Sequence, residues 1–179
     1  LITLEQLYQH SIERLKRPPA PERLLSLDPG ETTGFAHFAG PLFVHANQIS
    51  TSSQQLALGE LTTLLEEYKP TLVVIEDYRV YANRTAQHAG SSLSTPRLIG
   101  MIETLLLQRD IPFHKQPAGV AKQFVTDDKL KAWGLYSRGL KHARDAIRHG
   151  LYFILFPPKA VFSKMIQPGV SRNAGRHVG

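Results

Sequence analysis

The run Leu72-Val73-Val74-Ile75 constrains this chain more than any other stretch. It is short, continuous and rich in β-branched residues, the pattern of a strand covered on both faces. Such a strand needs a sheet with helices on each side. Glu76 follows directly, at the end of the most buried strand, where a carboxylate is costly unless paired or bound to a cation.

The elements around this strand fall into an order. Arg23 to Leu27 is a short apolar run stopped by Asp28-Pro29-Gly30; Gly34 to Ala39 resumes it, Gly40-Pro41 turns, and Leu42 to Ile49 continues. These read as three adjacent antiparallel strands. An amphipathic helix over Ser53 to Tyr68 leads into the buried strand. After it come a helix over Thr95 to Asp110, a short strand over Ile111 to Lys115, a short helix over Ala118 to Val125 and a long helix over Leu140 to Phe156 stopped by Pro157-Pro158. The expected fold is α/β, a mixed central sheet of three antiparallel strands followed by parallel ones, flanked by helices.

Thr3 and Gln6 have capping-box spacing at the head of an N-terminal helix, and Pro18, Pro19 and Pro21 end it. Residues 1–22 therefore read as an appended helix and linker, 23–156 as one domain, and 157–179 as a tail. The tail holds Lys159, Lys164, Arg172 and Arg176 and no acid, and it accounts for much of the formal charge of +6. A basic tail on a nearly neutral body suits a polyanionic partner. Cysteine is absent, which excludes disulfides and thiolate metal sites, and no apolar run approaches the length of a membrane span. A Walker-type Gly-Lys-Ser/Thr is also missing, so no nucleotide cofactor is expected.

The residues able to carry chemistry sit at element ends. Asp28 closes the first strand and Glu76 the buried one. On the last helix His142 and Asp145, three apart, share a face beside a stripe of Ala143, Ala146, Ile147 and Gly150, whose small members allow close approach to the sheet. Three carboxylates and an imidazole make an oxygen-rich cluster suited to Mg²⁺ or Mn²⁺. Singly, each has a commonplace role as turn former, strand end or surface histidine. Asp77 should point to the opposite side of its strand from Glu76. His149, one turn beyond Asp145, reads as an exposed helical histidine, with support of the ligands or general-base action as the alternative. Asp127 and Asp128 read as caps in a turn, and Lys141, Arg144 and Arg148 as a solvated row, with contact to a phosphate backbone as the alternative.

Leu25-Ser26-Leu27-Asp28-Pro29-Gly30 with Thr33-Gly34-Phe35-Ala36, then Val74-Ile75-Glu76, then His142-Ala143-Arg144-Asp145-Ala146, resemble in order the three acidic motifs of RuvC-like Holliday junction resolvases of the ribonuclease H-like superfamily. The wording is nearest to phage-encoded members, with His in place of the first helical Asp. The resemblance implies a ribonuclease H-like fold, two Mg²⁺ or Mn²⁺ ions held by Asp28, Glu76, His142 and Asp145, and a homodimer that cuts four-way or branched DNA in the cytoplasm of a bacterial cell or phage-infected host. It also implies DNA contacts by Lys122, and by Arg79 with Tyr78 and Tyr81 beside it; which tyrosine enters the junction is left open. The helix over Thr95 to Asp110, apolar on nearly every side, is the expected dimer interface. Cleavage of RNA or an RNA–DNA hybrid, and DNA binding without catalysis, remain as alternatives on the same fold.

Overall fold

A computed structural model describes residues 2–14, 16–77 and 95–158. Tyr78, Arg79 and Tyr81, and the tail's Lys159, Lys164, Arg172 and Arg176, lie outside the described residues. The chain runs α1 (Leu4–Glu13), β1 (Arg23–Asp28), β2 (Thr32–Ala39), β3 (Leu42–Ser50), α2 (Gln54–Tyr68), β4 (Leu72–Asp77), α3 (Thr95–Gln108), β5 (Phe113–Pro117), α4 (Ala118–Phe124), α5 (Asp127–Ala132) and α6 (Lys141–Leu155). One five-stranded sheet has the order β3-β2-β1-β4-β5. The first three strands pair antiparallel, while β4 lies parallel to both β1 and β5. This is the mixed sheet expected from the sequence.

Strand alternation divides the core into two layers. Leu25, Leu27, Val73 and Ile75 face α2 and α3, where they meet Leu61, Leu65, Leu98, Ile102 and Leu106. Leu24, Leu72, Val74 and Phe38 face the other way, onto Ala146, Ile147, Leu151 and Phe153 of α6. The buried strand is thus covered on both sides, which is why it tolerates no polar residue before Glu76.

Three features depart from the sequence reading. First, β5 begins two residues later than expected. Asp110 takes a left-handed backbone (φ 53°) and Ile111 N–H donates to Leu106 O at 2.9 Å, so these residues terminate α3 and do not open a strand. The shift brings Gln116 into β5 as the register partner of Glu76. Second, Asp127 and Asp128, expected as caps in a turn between helices, form the first turn of a further helix, α5, whose N-cap is Thr126.

Third, α1 is more than an appendage. Its Thr3/Gln6 capping box forms as expected, and Tyr8 is buried in the α6-side core with Leu4, Leu7 and Ile12 packed around it. The Tyr8 hydroxyl accepts from Ala20 N–H at 3.1 Å, and Arg17 Nη1 donates to Pro157 O at 3.2 Å, tying the proline-rich segment to the end of α6. The surplus apolar residues of α3 are largely used inside the chain. Leu98, Ile99, Ile102, Leu105 and Leu106 are all buried between the sheet and α2, while Leu107 stands 67% exposed. Among the described residues no helix is long and apolar enough to cross a membrane.

Candidate active site

Asp28 and Glu76 end neighbouring parallel strands. With Leu27 in register with Ile75, the two carboxyls come out side by side on the α6 face. The turn after Asp28 is held by two hydroxyls: Thr33 Oγ1 donates to Gly30 O at 3.2 Å, Thr51 Oγ1 donates to the same oxygen, and the two hydroxyls lie 2.7 Å apart. Asp28 therefore leaves the sheet from a fixed backbone. Asp77, as expected, takes the opposite side, where its charge acts on Lys115, the ion-pair partner of Glu103 on α3.

The remaining groups arrive on α6, which sits unusually close to the sheet. A Cβ on Gly34 would lie 2.0 Å from His142 O, and one on Gly150 would lie 2.2 Å from the Phe38 ring. Only glycine permits either approach. Ser26 Oγ donates to Ala146 O at 2.7 Å, and His142 N–H donates to Gln48 Oε1 at 3.0 Å, satisfying a backbone donor in the first turn of α6. Docked this way, α6 presents His142, Asp145, Arg148 and His149 to the strand ends.

The side chains form one connected cluster. His142 Nδ1 lies 2.7 Å from Asp28 Oδ2. Lys122, from α4, places its ammonium 3.2 Å from Glu76 Oε2 and 3.1 Å from Asp145 Oδ2. Arg148 donates to both Asp145 Oδ1 and Asp127 Oδ1, and its Nε donates to Val125 O at 3.0 Å. His149 Nε2 is 2.8 Å from Glu76 Oε2, and His149 Nδ1 is 2.8 Å from Gln116 Nε2.

Asp28 and Glu76 divide their protons unequally. Burial pushes the Asp28 carboxyl up to about 6 against the hydrogen bond to His142, and the adjacent Glu76 adds to the rise. Burial also raises Glu76, but the hydrogen bond from His149, with Asp28 and Lys122, outweighs it and pulls the group down to about 2. The hydrogen bond to Asp28 raises His142 above the ordinary imidazole value against the effect of burial. The pair behaves as two like charges sharing a site, of which one is ionised first.

All four expected ligands, Asp28, Glu76, His142 and Asp145, thus meet at one end of the sheet. Among the described residues, however, no three carboxylate or imidazole groups stand at metal-binding spacing. The Lys122 ammonium occupies the space between Glu76 and Asp145 that a cation would need. The donor chemistry still fits a hard divalent ion: three carboxylates and an imidazole gather at one end of the sheet.

Five residues around these ligands are placed differently from the sequence reading, or were not singled out by it. Lys122, expected as an outward phosphate contact, points into the cluster. Arg148, expected on a solvated face, has a side chain only 11% exposed, and Arg144 donates to Ser137 O and lies over the Tyr136 ring. His149, expected to be exposed, is fully buried. Gln116 carried no signal of its own. The usable clues were spacing and register: Arg148 and His149 follow Asp145 by three and four positions, on its face of the helix.

Solved structures share this architecture. The chain superposes on Thermus thermophilus RuvC in complex with a Holliday junction substrate with a TM-score of 0.59 and 17% identity, over 80% of this chain and 95% of that one. A second Thermus thermophilus RuvC structure gives 0.55 and 17%, over 80% and 96%. The yeast mitochondrial Holliday junction resolvase Ydc2 gives 0.54 and 13%, over 93% and 100%. No family model and no curated protein sequence matches the chain. The chain therefore shares the fold of these RuvC structures, a mixed five-stranded sheet flanked by helices, as the sequence motifs implied.

Proposed function

We propose that the chain is a divalent-metal-dependent endonuclease that resolves Holliday junctions or related branched DNA by phosphodiester hydrolysis. The observation that carries this reading is the meeting of Asp28, Glu76 and Asp145 with His142 at adjoining parallel strand ends, on a fold whose solved counterparts include a RuvC bound to a Holliday junction substrate. Asp28, Glu76, His142 and Asp145 would hold Mg²⁺ or Mn²⁺, two ions at full occupancy, supplying Lewis acidity at the phosphate and a more acidic attacking water. Arg148 holds one oxygen of Asp145 and leaves the other toward the cluster. Lys122, which now pairs with Glu76 and Asp145, would have to give up those carboxylates for them to hold an ion, and its ammonium would then be available to a phosphate.

The same reading takes the protein to be a homodimer acting in the cytoplasm of a bacterial cell or phage-infected host, with Arg79, Tyr78 and Tyr81 as further DNA contacts. One experiment tests the activity: incubation with Mg²⁺ or Mn²⁺ and, separately, four-way DNA, linear duplex and RNA–DNA hybrid, with product ends mapped. Symmetric nicks in opposing strands of the four-way DNA are expected. Cleavage of the hybrid alone replaces the reading with a ribonuclease, and no cleavage of any substrate overturns it. Sedimentation with and without four-way DNA tests the dimer.

A further inference from the structure

His149 and Gln116 stand behind Glu76 and play no part in the ligand set proposed above. His149 is fully buried and Gln116 nearly so. Burying two polar side chains beside a carboxylate is costly unless each hydrogen bond is made, and here each is. The Gln116 amide nitrogen lies 3.3 Å from His149 O as well as 2.8 Å from His149 Nδ1. A backbone carbonyl only accepts, so this contact fixes which end of the amide is nitrogen. The nitrogen then donates to Nδ1, which must be the bare ring nitrogen, and the ring proton resides on Nε2, facing Glu76 Oε2 at 2.8 Å.

From this geometry we infer that His149, locked in its Nε2–H form by Gln116, is a positioning residue that pins Oε2 of Glu76 and leaves Oε1 as the oxygen presented to the site, where the Lys122 ammonium, 3.2 Å from Oε2, also donates to Oε1 at 3.3 Å. The chain of bonds runs from the helix backbone through β5 and back to β4, so the setting of Glu76 depends on the docking of α6. The inference rests on the proposed nuclease reading for its consequence and not for its geometry. An orienting partner of this kind typically sets activity by about 10- to 100-fold.

The test uses the full chain. In the metal-free protein labelled with ¹⁵N at histidine, His149 should show a protonated Nε2 and an unprotonated Nδ1, and Gln116→Leu should convert it to a mixture of the two ring forms. A wild-type ring protonated at Nδ1 overturns the inference whatever the DNA assays give, and this arm decides the matter alone if the protein cuts no branched DNA. In cleavage of four-way DNA, His149→Leu should lower kcat by about 10- to 100-fold with junction affinity unchanged. His149→Gln, which keeps an N–H donor near the position of Nε2, should recover most of that loss. Equal losses in His149→Leu and His149→Gln, in proteins that melt like the wild type, overturn it as well. Should the leucine variant fail to fold, the glutamine variant together with Gln116→Leu, expected to lose less than His149→Leu, carries the kinetic arm: a Gln116→Leu protein as fast as wild type, with its ring form unchanged, refutes the relay.

Discussion

The two faces of the sheet are built from the same strands and differ in almost everything else. Toward α2 and α3 the buried set is mainly apolar, with Leu25, Leu27, Phe35, Val73 and Ile75 against leucine and isoleucine, and its buried polar groups, Thr33 and Thr51, are uncharged. Toward α6 the core is apolar only at one end, around Leu24, Leu72 and Phe153, and at the other buries Asp28, Gln116, Asp145 and His149. One residue of displacement along β1 or β4 moves a side chain from the first environment to the second. Both faces carry an apolar core, and the polar end of the second is held in place by hydrogen bonds at some cost to stability.

Substitutions on the polar side should separate activity from folding most sharply. Asp28→Asn or Glu76→Gln should reduce cleavage of four-way DNA to background while junction binding in a gel-shift assay persists, since the carboxylates hold ions and basic groups hold phosphates. Either variant cleaving near the wild-type rate at saturating Mg²⁺ removes that residue from the site. The apolar face should respond the other way. Leu27→Ala, at a side chain 1% exposed, should cost about 2–5 kcal/mol in urea unfolding yet leave the cleavage rate of the folded protein unchanged. A slowed rate at a temperature where the variant is fully folded would show that the two faces are coupled.

His142 sharpens the comparison further because it is the least buried member of the set. His142→Ala should lose most activity, whereas His142→Asp should keep it and shift the preferred ion from Mn²⁺ toward Mg²⁺, which favours oxygen. Rates measured with each ion decide this. If His142→Ala cuts as fast as wild type with both, Asp145 works without it.

The smallest effect is on the pH dependence of the metal-free protein. Asp28 is raised from 3.8 to about 6, so its contribution to stability is complete below pH 3.8 and lost as pH climbs through 6. Glu76 is lowered from 4.5 to about 2, so its contribution is complete above 4.5 and lost only as pH falls toward 2. Between 4.5 and 6 the Asp28 contribution falls, while burial lowers His37 and His114 below the ordinary imidazole value, so that their contributions rise as pH approaches 6.5. His142, raised above 6.5, prolongs the decline to higher pH. The melting temperature of the wild type relative to Asp28→Asn, a difference in which His37 and His114 cancel, should therefore drop from pH 5 to pH 8, by a few degrees in circular dichroism, with Mn²⁺ restoring more to the wild type at pH 8 than at pH 5. A profile that is flat, or that rises, contradicts the electrostatics described for the pair.

What the sequence disclosed followed the same division. Periodicity reports which face of an element is buried, so the apolar strand, the small-residue stripe of α6 and the carboxylates ending β1 and β4 were all legible. Side chains whose environment is set by distant parts of the chain were not. Lys122 meets Glu76 across 46 residues and Gln116 meets His149 across 33, and nothing local distinguishes a lysine or histidine so engaged from one in water. Arg148 misled for a further reason, since a long cationic side chain fits a helix surface and a buried carboxylate cluster equally well. The start of β5 was displaced because a left-handed Asp110 gives no hydrophobic signal.

The close docking of α6 also bears on the order in which the chain matures. His142 reaches Asp28 across 114 residues, and Ser26 reaches Ala146 across 120. All five strands leave the ribosome before α6 does, so a nascent chain can pair its sheet while one face lies bare and Asp28 and Glu76 stand together without His142, Asp145 or His149. Contacts of such separation form late. The same event then covers the second hydrophobic layer and brings the helix-borne groups to the strand ends. The full cluster is therefore complete only when the last helix has docked.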